Sequence, residues 1–299
     1  MSEFPCDVIL CTRNRPELLA EALDAIVPTL RVGDSLVVVD SASESDATQR
    51  VATERGVRVV RAERPGLSRA RNLGVTTTTA AIVVFTDDDC RPQPGWLDAL
   101  VLPFWDNDVG FVLGQVRADV EGAHLPFDAA RPRPAGRFAG PTDPIELGNG
   151  ACMAFRRSAW TACGGADERL GAGTWLRSAE DHDLFCRLLH HKWIGVYEPD
   201  ALVLHRDWRT HREVVKYNWG VGLGTGAMVG KLWRIAGTPT VRPLLRRRIV
   251  TDGVAALARN VADRDKSAIA AHTLKLGGTI VGLGLGLVLR RDAERFRAR

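Results

Sequence analysis

Ala81-Ile82-Val83-Val84-Phe85-Thr86-Asp87-Asp88-Asp89 runs from a short apolar stretch directly into three carboxylates. An apolar run of this length, rich in β-branched residues, reads as a strand buried on both faces. Open α/β sheets bind their ligands off the carboxyl ends of such strands, where these aspartates fall. Alternation along the strand places Asp87 and Asp89 on one side and Asp88 on the other. Two carboxylates on one side, completed by water and phosphate oxygens, suit Mn2+ or Mg2+. An acidic loop after a strand is the simpler reading of the same residues.

The sequence around this stretch repeats its pattern. Val8-Ile9-Leu10 is an apolar run that ends in the turn Thr12-Arg13-Asn14-Arg15-Pro16, and Pro16 suits the first turn of a helix over Glu17 to Val27. Leu36 to Val39 is a second strand, closed by Asp40, with a polar stretch and a helical segment after it. Val57 to Arg61 reads as a third strand, Leu67 to Leu73 as a helix behind the Pro65-Gly66 turn, and Pro94 to Leu102 as another helix. Strands alternating with helices predict a parallel sheet of βαβ units. Asp40 and the Asp87 to Asp89 group then share one edge of that sheet. Residues 120–146, rich in Pro, Arg and Gly, read as a long loop or insertion. A strand over Gly150 to Phe155, a helix over Glu180 to His190 and a strand over Ala201 to Leu204 follow. There is no internal repeat.

Composition narrows the class of protein. With 45% hydrophobic and 25% charged residues in 299, the chain is neither disordered nor fibrous. A net charge of +4 is too small to argue for nucleic acid, but it suits phosphates or an acidic membrane surface. Cys6, Cys11, Cys90, Cys152, Cys163 and Cys186 form no CxxC pair, which predicts buried thiols in a reducing compartment. The N-terminus shows no basic region followed by an apolar run, so no secretory signal is expected. The tail changes character: Trp219 to Gly230 is apolar and glycine-rich. Leu276 to Leu289 is an apolar run shorter than the roughly 20 residues that span a bilayer. Arg246 to Arg248 and Arg290-Arg291 supply basic flanks. Such a run can lie in a membrane interface, pack as a buried helix or, extended past Lys275, span; the residues leave these open.

Three further groups can carry chemistry. Gly66-Leu67-Ser68-Arg69-Ala70-Arg71-Asn72 sets two arginines and an asparagine at a helix start, suited to phosphate or to a solvated basic face. Glu180-Asp181 opens an apolar-periodic helix, as a cap favoured by the helix dipole or as a general base. His205 follows a strand, where it is either a metal ligand or an ordinary histidine.

Taken together and in order, from about Val8 to His205, these motifs resemble the family 2 nucleotide-sugar glycosyltransferases of the GT-A fold. The resemblance implies an α/β chain with a Rossmann-like, mostly parallel central sheet flanked by helices, and a helical C-terminal extension. Residues 1–210 would form the transferase domain (nucleotide half about 1–110, acceptor half about 111–210), with 211–299 as the extension. It also implies metal-dependent, inverting transfer of a sugar from a nucleotide-diphosphate donor to a hydroxyl acceptor. In this pattern Thr12, Arg13 and Arg15 line the nucleotide pocket and Asp40 reads the base. Arg69, Arg71, Asn72, Asp87 and Asp88 face the diphosphate, and Asp87, Asp89 and His205 hold Mn2+ or Mg2+. Asn149, beside the strand under the acceptor site, Trp175 and Glu180 face acceptor or sugar, and Asp181 is the catalytic base. Cys90 stands where many relatives carry an acid, and a histidine at position 205 matches only some of them. The expected partners are a UDP-, dTDP- or GDP-linked donor, a glycan or lipid-linked acceptor and a membrane surface, without nucleic acid. The expected place is the cytoplasm, peripheral at the inner face of the cell membrane, in cell-envelope glycan or polysaccharide synthesis. A nucleotidyltransferase and a non-catalytic sugar-binding protein with a decayed site are the alternatives. A Rossmann dehydrogenase is excluded because no GxGxxG follows the first strand.

Overall fold

The computed structural model describes residues 4–119, 133–206 and 211–289. Arg290, Arg291 and the part of the expected loop over 120–132 lie outside these residues. The chain begins β1 (Cys6–Thr12), α1 (Pro16–Ile26), β2 (Ser35–Asp40), α2 (Ala47–Glu54), β3 (Arg58–Arg61), α3 (Leu67–Thr76), β4 (Ile82–Asp87). It continues with β5 (Cys90–Pro92), α4 (Trp96–Val101), β6 (Val109–Ala118), β7 (Gly136–Phe138), α5 (Pro144–Leu147), β8 (Cys152–Arg156), α6 (Arg157–Ala162), α7 (Glu180–His190) and β9 (Ile194–His205). Part of the stretch expected as loop, 133–146, thus carries a short strand and a helical turn. The C-terminal helices are α8 (His211–Arg246), a π-type segment (Arg247–Ala255), α9 (Ala256–Ala262) and α10 (Lys266–Val288).

Among the described residues the sheet has nine strands, in the order β3-β2-β1-β4-β8-β6-β9-β5, with β7 on β9. Parallel pairing joins β3, β2, β1 and β4, as the βαβ pattern predicts, and also β6 with β9. The other pairings, β4 with β8, β6 with β8, β5 with β9 and β7 with β9, are antiparallel. The sheet is therefore mixed, parallel from β3 to β4 and largely antiparallel beyond β4.

Strand residues alternate between two cores. Val8, Leu10, Val38, Val84 and Val112 pack with Leu19, Leu23 and Ile26 of α1 and with Trp96 and Leu100 of α4. The α1 contacts recur at helical spacing, and Pro16 and Glu17 favour its start. On the other face Ile9, Val39, Phe85, Phe111 and Phe155 pack with Trp160 of α6 and Phe185 and Leu188 of α7. The rings of Phe111 and Phe185 stack at 5.3 Å. Gly74 lets α3 lie close on β1 and β2, because a Cβ there would strike Ile9 and sit 3.2 Å from Val39. At the amino ends of the strands, buried Asp7 accepts from Arg157 Nη2 at 2.9 Å and from Ser35 Oγ at 2.6 Å, tying β8 and α6 to β1 and β2.

The chain divides into two compact units, Met1–Ala166 with Leu184–Trp208, and Asp167–Asp183 with Arg209–Arg299. In the second unit, α8 breaks at Gly237 (φ 77°, ψ 175°), as only glycine readily does. Its first limb packs on α10 through Gly222, Gly226 and Gly230, which face Gly278, Gly282 and Gly286. A Cβ on Gly226 would collide with the backbone at Thr279 and lie 2.7 Å from Leu283 N, so the two backbones are in direct contact. The contacts advance in the same sense on both helices, which therefore run parallel. The apolar run read from the sequence is the end of α10, which starts earlier because Asp265 caps it, accepting from Ser267 and Ala268 N–H at 3.0 Å. Among the described helices α10 alone is long and apolar enough to cross a membrane; its most apolar 18-residue window has a mean hydropathy of 1.3 and is 17% buried. Of the basic cluster, Arg248 turns inward onto Asp252 at 3.0 Å.

Candidate active site

The carboxyl ends of β2, β1 and β4 bring Asp40, Thr12 and Asp87 side by side: Thr12 pairs in register with Asp40, and Cys11 with Asp87. The loops beyond them are joined. Ser41 N–H donates to Thr12 O at 2.9 Å, Asn14 N–H to Ser43 Oγ at 3.0 Å and Gly66 N–H to Ser41 Oγ at 3.0 Å. Asp40 is buried, its Oδ1 accepting from Ser43 N–H at 2.9 Å and its Oδ2 from Arg61 Nη1 at 2.5 Å. Arg61 also donates to Ser43 O at 2.6 Å, so one guanidinium fixes both the aspartate and the loop after it. Arg13 lies at the rim, its Nε 3.4 Å from Ala42 O.

The three carboxylates do not follow strand alternation. β4 ends at Asp87 and the next two residues form a turn. Arg15 Nη1 donates to Asp88 Oδ1 at 2.8 Å and lies 3.4 Å from Asp89 Oδ2, so Asp88 and Asp89 share a guanidinium. Asp88 also accepts from Thr12 Oγ1 at 2.6 Å. Asp87 is met from the other direction by buried Arg71, whose Nη2 is 3.3 Å from Asp87 Oδ1 and 3.4 Å from Gly150 O. Strand alternation thus stops at Asp87, and Asp88 and Asp89 are placed by a turn; Asp87 still feels the charges of Asp89 and His205.

Burial is the main force on Asp87 and Asp88. It raises the Asp87 carboxyl above the ordinary range; Arg71 opposes it and Asp89 adds to it. Burial against the attraction of Arg15 pushes Asp88 up to about 7. A divalent cation relieves such crowding, and a donor set stands ready for one. β5 and β9 pair Cys90 with His205, which brings His205 Nε2 to 3.4 Å from Asp89 Oδ1. Ligating atoms of Asp89, Cys90 and His205 all lie within 4.8 Å of one another, and all three residues are buried. Burial and the Asp89 charge raise the Cys90 thiol well above its ordinary range, and beside it stand a carboxylate and an imidazole. These suit Mn2+ or Mg2+.

Arg69 turns back to Pro65 O at 2.9 Å. Asn72 donates to Ala166 O and accepts from Ala166 N–H, both at 2.9 Å, which ties α3 to the turn after α6. Asn149 is half-buried and accepts from Ala151 N–H at 3.1 Å. The remaining expected residues belong to the second unit. Trp175 is 51% exposed, whereas Glu180 is buried, its carboxyl against Gly171. Asp181, half-buried in the first turn of α7, accepts from His182 N–H at 2.7 Å. Sequence reasoning missed Arg61, which looked like the end of a strand, and it missed Asp167, Asp183 and Lys231. Lys231 lies 2.6 Å from Asp167 and 2.7 Å from Asp183. A lysine inside an otherwise apolar, glycine-rich run was the available signal for this cluster.

Residues 7–161 match the family described as Glycosyl transferase family 2. A pre-mycofactocin glycosyltransferase of Mycobacterium tuberculosis is 30% identical over 225 residues, which cover 67% of this chain and 44% of that protein. The chain therefore spans less than half the length of that relative. Among solved structures, a mannosyltransferase of Pyrobaculum calidifontis in complex with GDP-Man and Mn2+ shares the fold with a TM-score of 0.67 at 19% identity, covering 96% of this chain and 88% of that one. Glucosyl-3-phosphoglycerate synthase of M. tuberculosis, in complex with Mn2+, UDP and glucosyl-3-phosphoglycerate, does so with a TM-score of 0.51 at 23% identity, over 74% of this chain and 78% of that one. The mixed sheet and its flanking helices are those of the GT-A fold, and the chain belongs to glycosyl transferase family 2.

Proposed function

We propose that the chain is a metal-dependent inverting glycosyltransferase that moves a sugar from a nucleoside-diphosphate donor to a hydroxyl of a glycan or lipid-linked acceptor. The observation that carries this reading is the strand-end group Asp87, Asp88 and Asp89, beside Thr12 and Asp40, with His205 Nε2 3.4 Å from Asp89. Transfer resides in residues 1–210, with the nucleotide half over about 1–110, and 211–299 is a helical extension. Asp40, held by Arg61, reads the base, and Thr12, Arg13 and Arg15 line the nucleotide pocket. Arg69 and Arg71 face the diphosphate, and Asn72 orders the turn beside them. Asp89 and His205, with Asp87, hold Mn2+ or Mg2+, which when bound carries the charge of the leaving diphosphate. Asn149, Trp175 and Glu180 serve the sugar and acceptor. The acceptor oxygen attacks the anomeric carbon as the bond to the diphosphate breaks, and Asp181 takes the hydroxyl proton. The exposed apolar side of α10 supports a peripheral place at the cytoplasmic face of a membrane, in the synthesis of an envelope glycan or polysaccharide.

Calorimetric titration of UDP, dTDP, GDP and CDP, with Mn2+ and with chelator, tests the reading. Metal-dependent binding of one nucleotide is expected, lost in Asp89→Ala. Asp181→Asn should keep that binding and lose transfer. A folded wild-type protein that binds none of the four would overturn the assignment, and release of pyrophosphate would point to nucleotidyl transfer instead.

A further inference from the structure

The segment Asp167–Asp183 carries Trp175, Glu180 and Asp181, and within its own unit it packs along one face of α8. Gly220 and Gly224 admit it: a Cβ on Gly220 would sit 3.0 Å from the Arg177 side chain, and one on Gly224 would collide with Ser178. Ser178 Oγ lies 3.0 Å from Gly220 O and 3.2 Å from Val221 O. One turn on, Leu223 and Ala227 bury Leu170 and Leu176. Further along the same face, Lys231 Nζ meets Asp167 Oδ2 at 2.6 Å and Asp183 Oδ1 at 2.7 Å. All three side chains are at least nine-tenths buried. Positions 220, 223, 224, 227 and 231 are the spacing of one helical stripe. The ion pairs close the two ends of the segment onto a single cation. Burial by itself would raise the Asp167 carboxyl, but Arg169 and Lys231 hold it well below the ordinary range.

We propose that Lys231 is a positioning residue: by pairing with Asp167 and Asp183 it fixes both ends of the segment bearing Trp175, Glu180 and Asp181, so that the C-terminal helices set the placement of the base. A buried ammonium between two buried carboxylates is a poor device for stability, since an apolar trio of similar volume often does as well. It is a better device for register, because moving either carboxylate away from Lys231 separates buried opposite charges. The inference rests on the reading of Asp181 as the base.

The test uses the full chain. Lys231→Met removes the charge and keeps the length, whereas Lys231→Arg keeps the charge. Amide hydrogen exchange over 168–182 is compared with that of peptides from residues 6–118. In parallel, Mn2+-dependent binding of UDP and GDP is titrated, and their release from UDP-glucose and GDP-mannose is timed. In Lys231→Met, exchange over 168–182 should rise while that of 6–118 stays unchanged. Turnover should fall by about 10- to 100-fold through kcat, the scale of a displaced reacting group, with donor KM and nucleotide affinity unmoved. Lys231→Arg should recover most of both. Wild-type exchange over 168–182 in the Met variant would overturn the proposal. So would a parallel loss of nucleotide binding and turnover, which marks general damage. Should Lys231→Met not fold, Asp183→Asn gives the same readouts. An Asp181→Asn protein that still turns over would refute the base assignment alone, and exchange would then judge the clamp by itself.

Discussion

Asn72 offers a sharp separation between holding the fold and holding the ligand. The sequence pattern places it among nucleotide-facing residues, yet both ends of its amide are bonded to Ala166, at 2.9 Å each. Ala166 is 3% exposed, so Asn72→Ala strands a buried N–H and a buried C=O. Each such group costs about 1–3 kcal/mol, and partial entry of water brings the sum to about 3 kcal/mol. For a unit of this size the loss lowers Tm by about 6–12 °C. Gly165→Ala should reproduce the effect, because its new Cβ would stand 2.6 Å from Asn72 Oδ1 at a φ of 74°. Scanning calorimetry reads the stability, and titration of nucleotide with Mn2+ below the transition reads the site. Both variants should melt early and bind nucleotide within about twofold of wild type, a difference under 0.5 kcal/mol. An Asn72→Ala protein with an unchanged Tm and a tenfold loss of affinity would refute the reasoning and make Asn72 a ligand contact.

Thr12→Val removes the 2.6 Å hydrogen bond that aims Asp88 and should weaken Mn2+-dependent nucleotide binding by about tenfold, which is 1.4 kcal/mol; unchanged affinity in the same titration would show that Arg15 alone suffices. Gly226→Val drives a side chain into the α10 backbone and should cost about 3 kcal/mol or more, seen as early loss of helical circular dichroism. Gly284→Ala meets open space and should leave the melt unchanged or raise it slightly, so equal damage from both would deny the close helix contact. Acid should loosen the second unit through Asp167: its folded pKa is depressed, so its contribution is full above the unfolded value of about 3.9 and falls away below it, as the unfolded chain takes up the proton first. Urea melts at pH 7 and pH 3.5 should therefore differ less in Asp167→Asn than in wild type; an equal pH response would remove Asp167 from the account.

The parallel part of the sheet, β1 to β4, was legible because its signals are local. Apolar runs ending in Thr12, Asp40 and Asp87 need only periodicity and a polar stop, and β1, β2 and β4 lie where those runs do. The α7 bounds, Glu180–His190, coincide with the apolar spacing and its acidic start. β6 was not legible, because its glycines interrupt the pattern. Their reason is tertiary: a Cβ on Gly114 would strike Ala201 and Cys152, and one on Gly110 would lie 2.7 Å from Trp193 Cβ. Strand alternation cannot place Asp88 and Asp89, because a two-residue turn replaces the pleat there. The closeness of His205 to Asp89 depends on β5, a three-residue strand too short to announce itself.

The helices expected beyond residue 210 are present, and the glycine-rich part of α8 shows why their packing was not legible in the sequence. Glycine costs a helix about 1 kcal/mol per residue against alanine, so Gly220, Gly222, Gly224, Gly226 and Gly230 look like a reason for no helix at all. They fall instead into two series at a spacing of four. Gly220 and Gly224 receive Arg177 and Ser178, and Gly222, Gly226 and Gly230 receive the α10 backbone. An offset of two residues turns the helix by about 200°, so the two series lie on opposite faces. α8 is then a blade held between α10 and the segment Asp167–Asp183, and its intrinsic cost is offset only while both sides are filled. It follows that the second unit loosens as one piece: a wedge at Gly226, on the α10 side, should raise amide exchange over 168–182 although nothing in that segment has been altered.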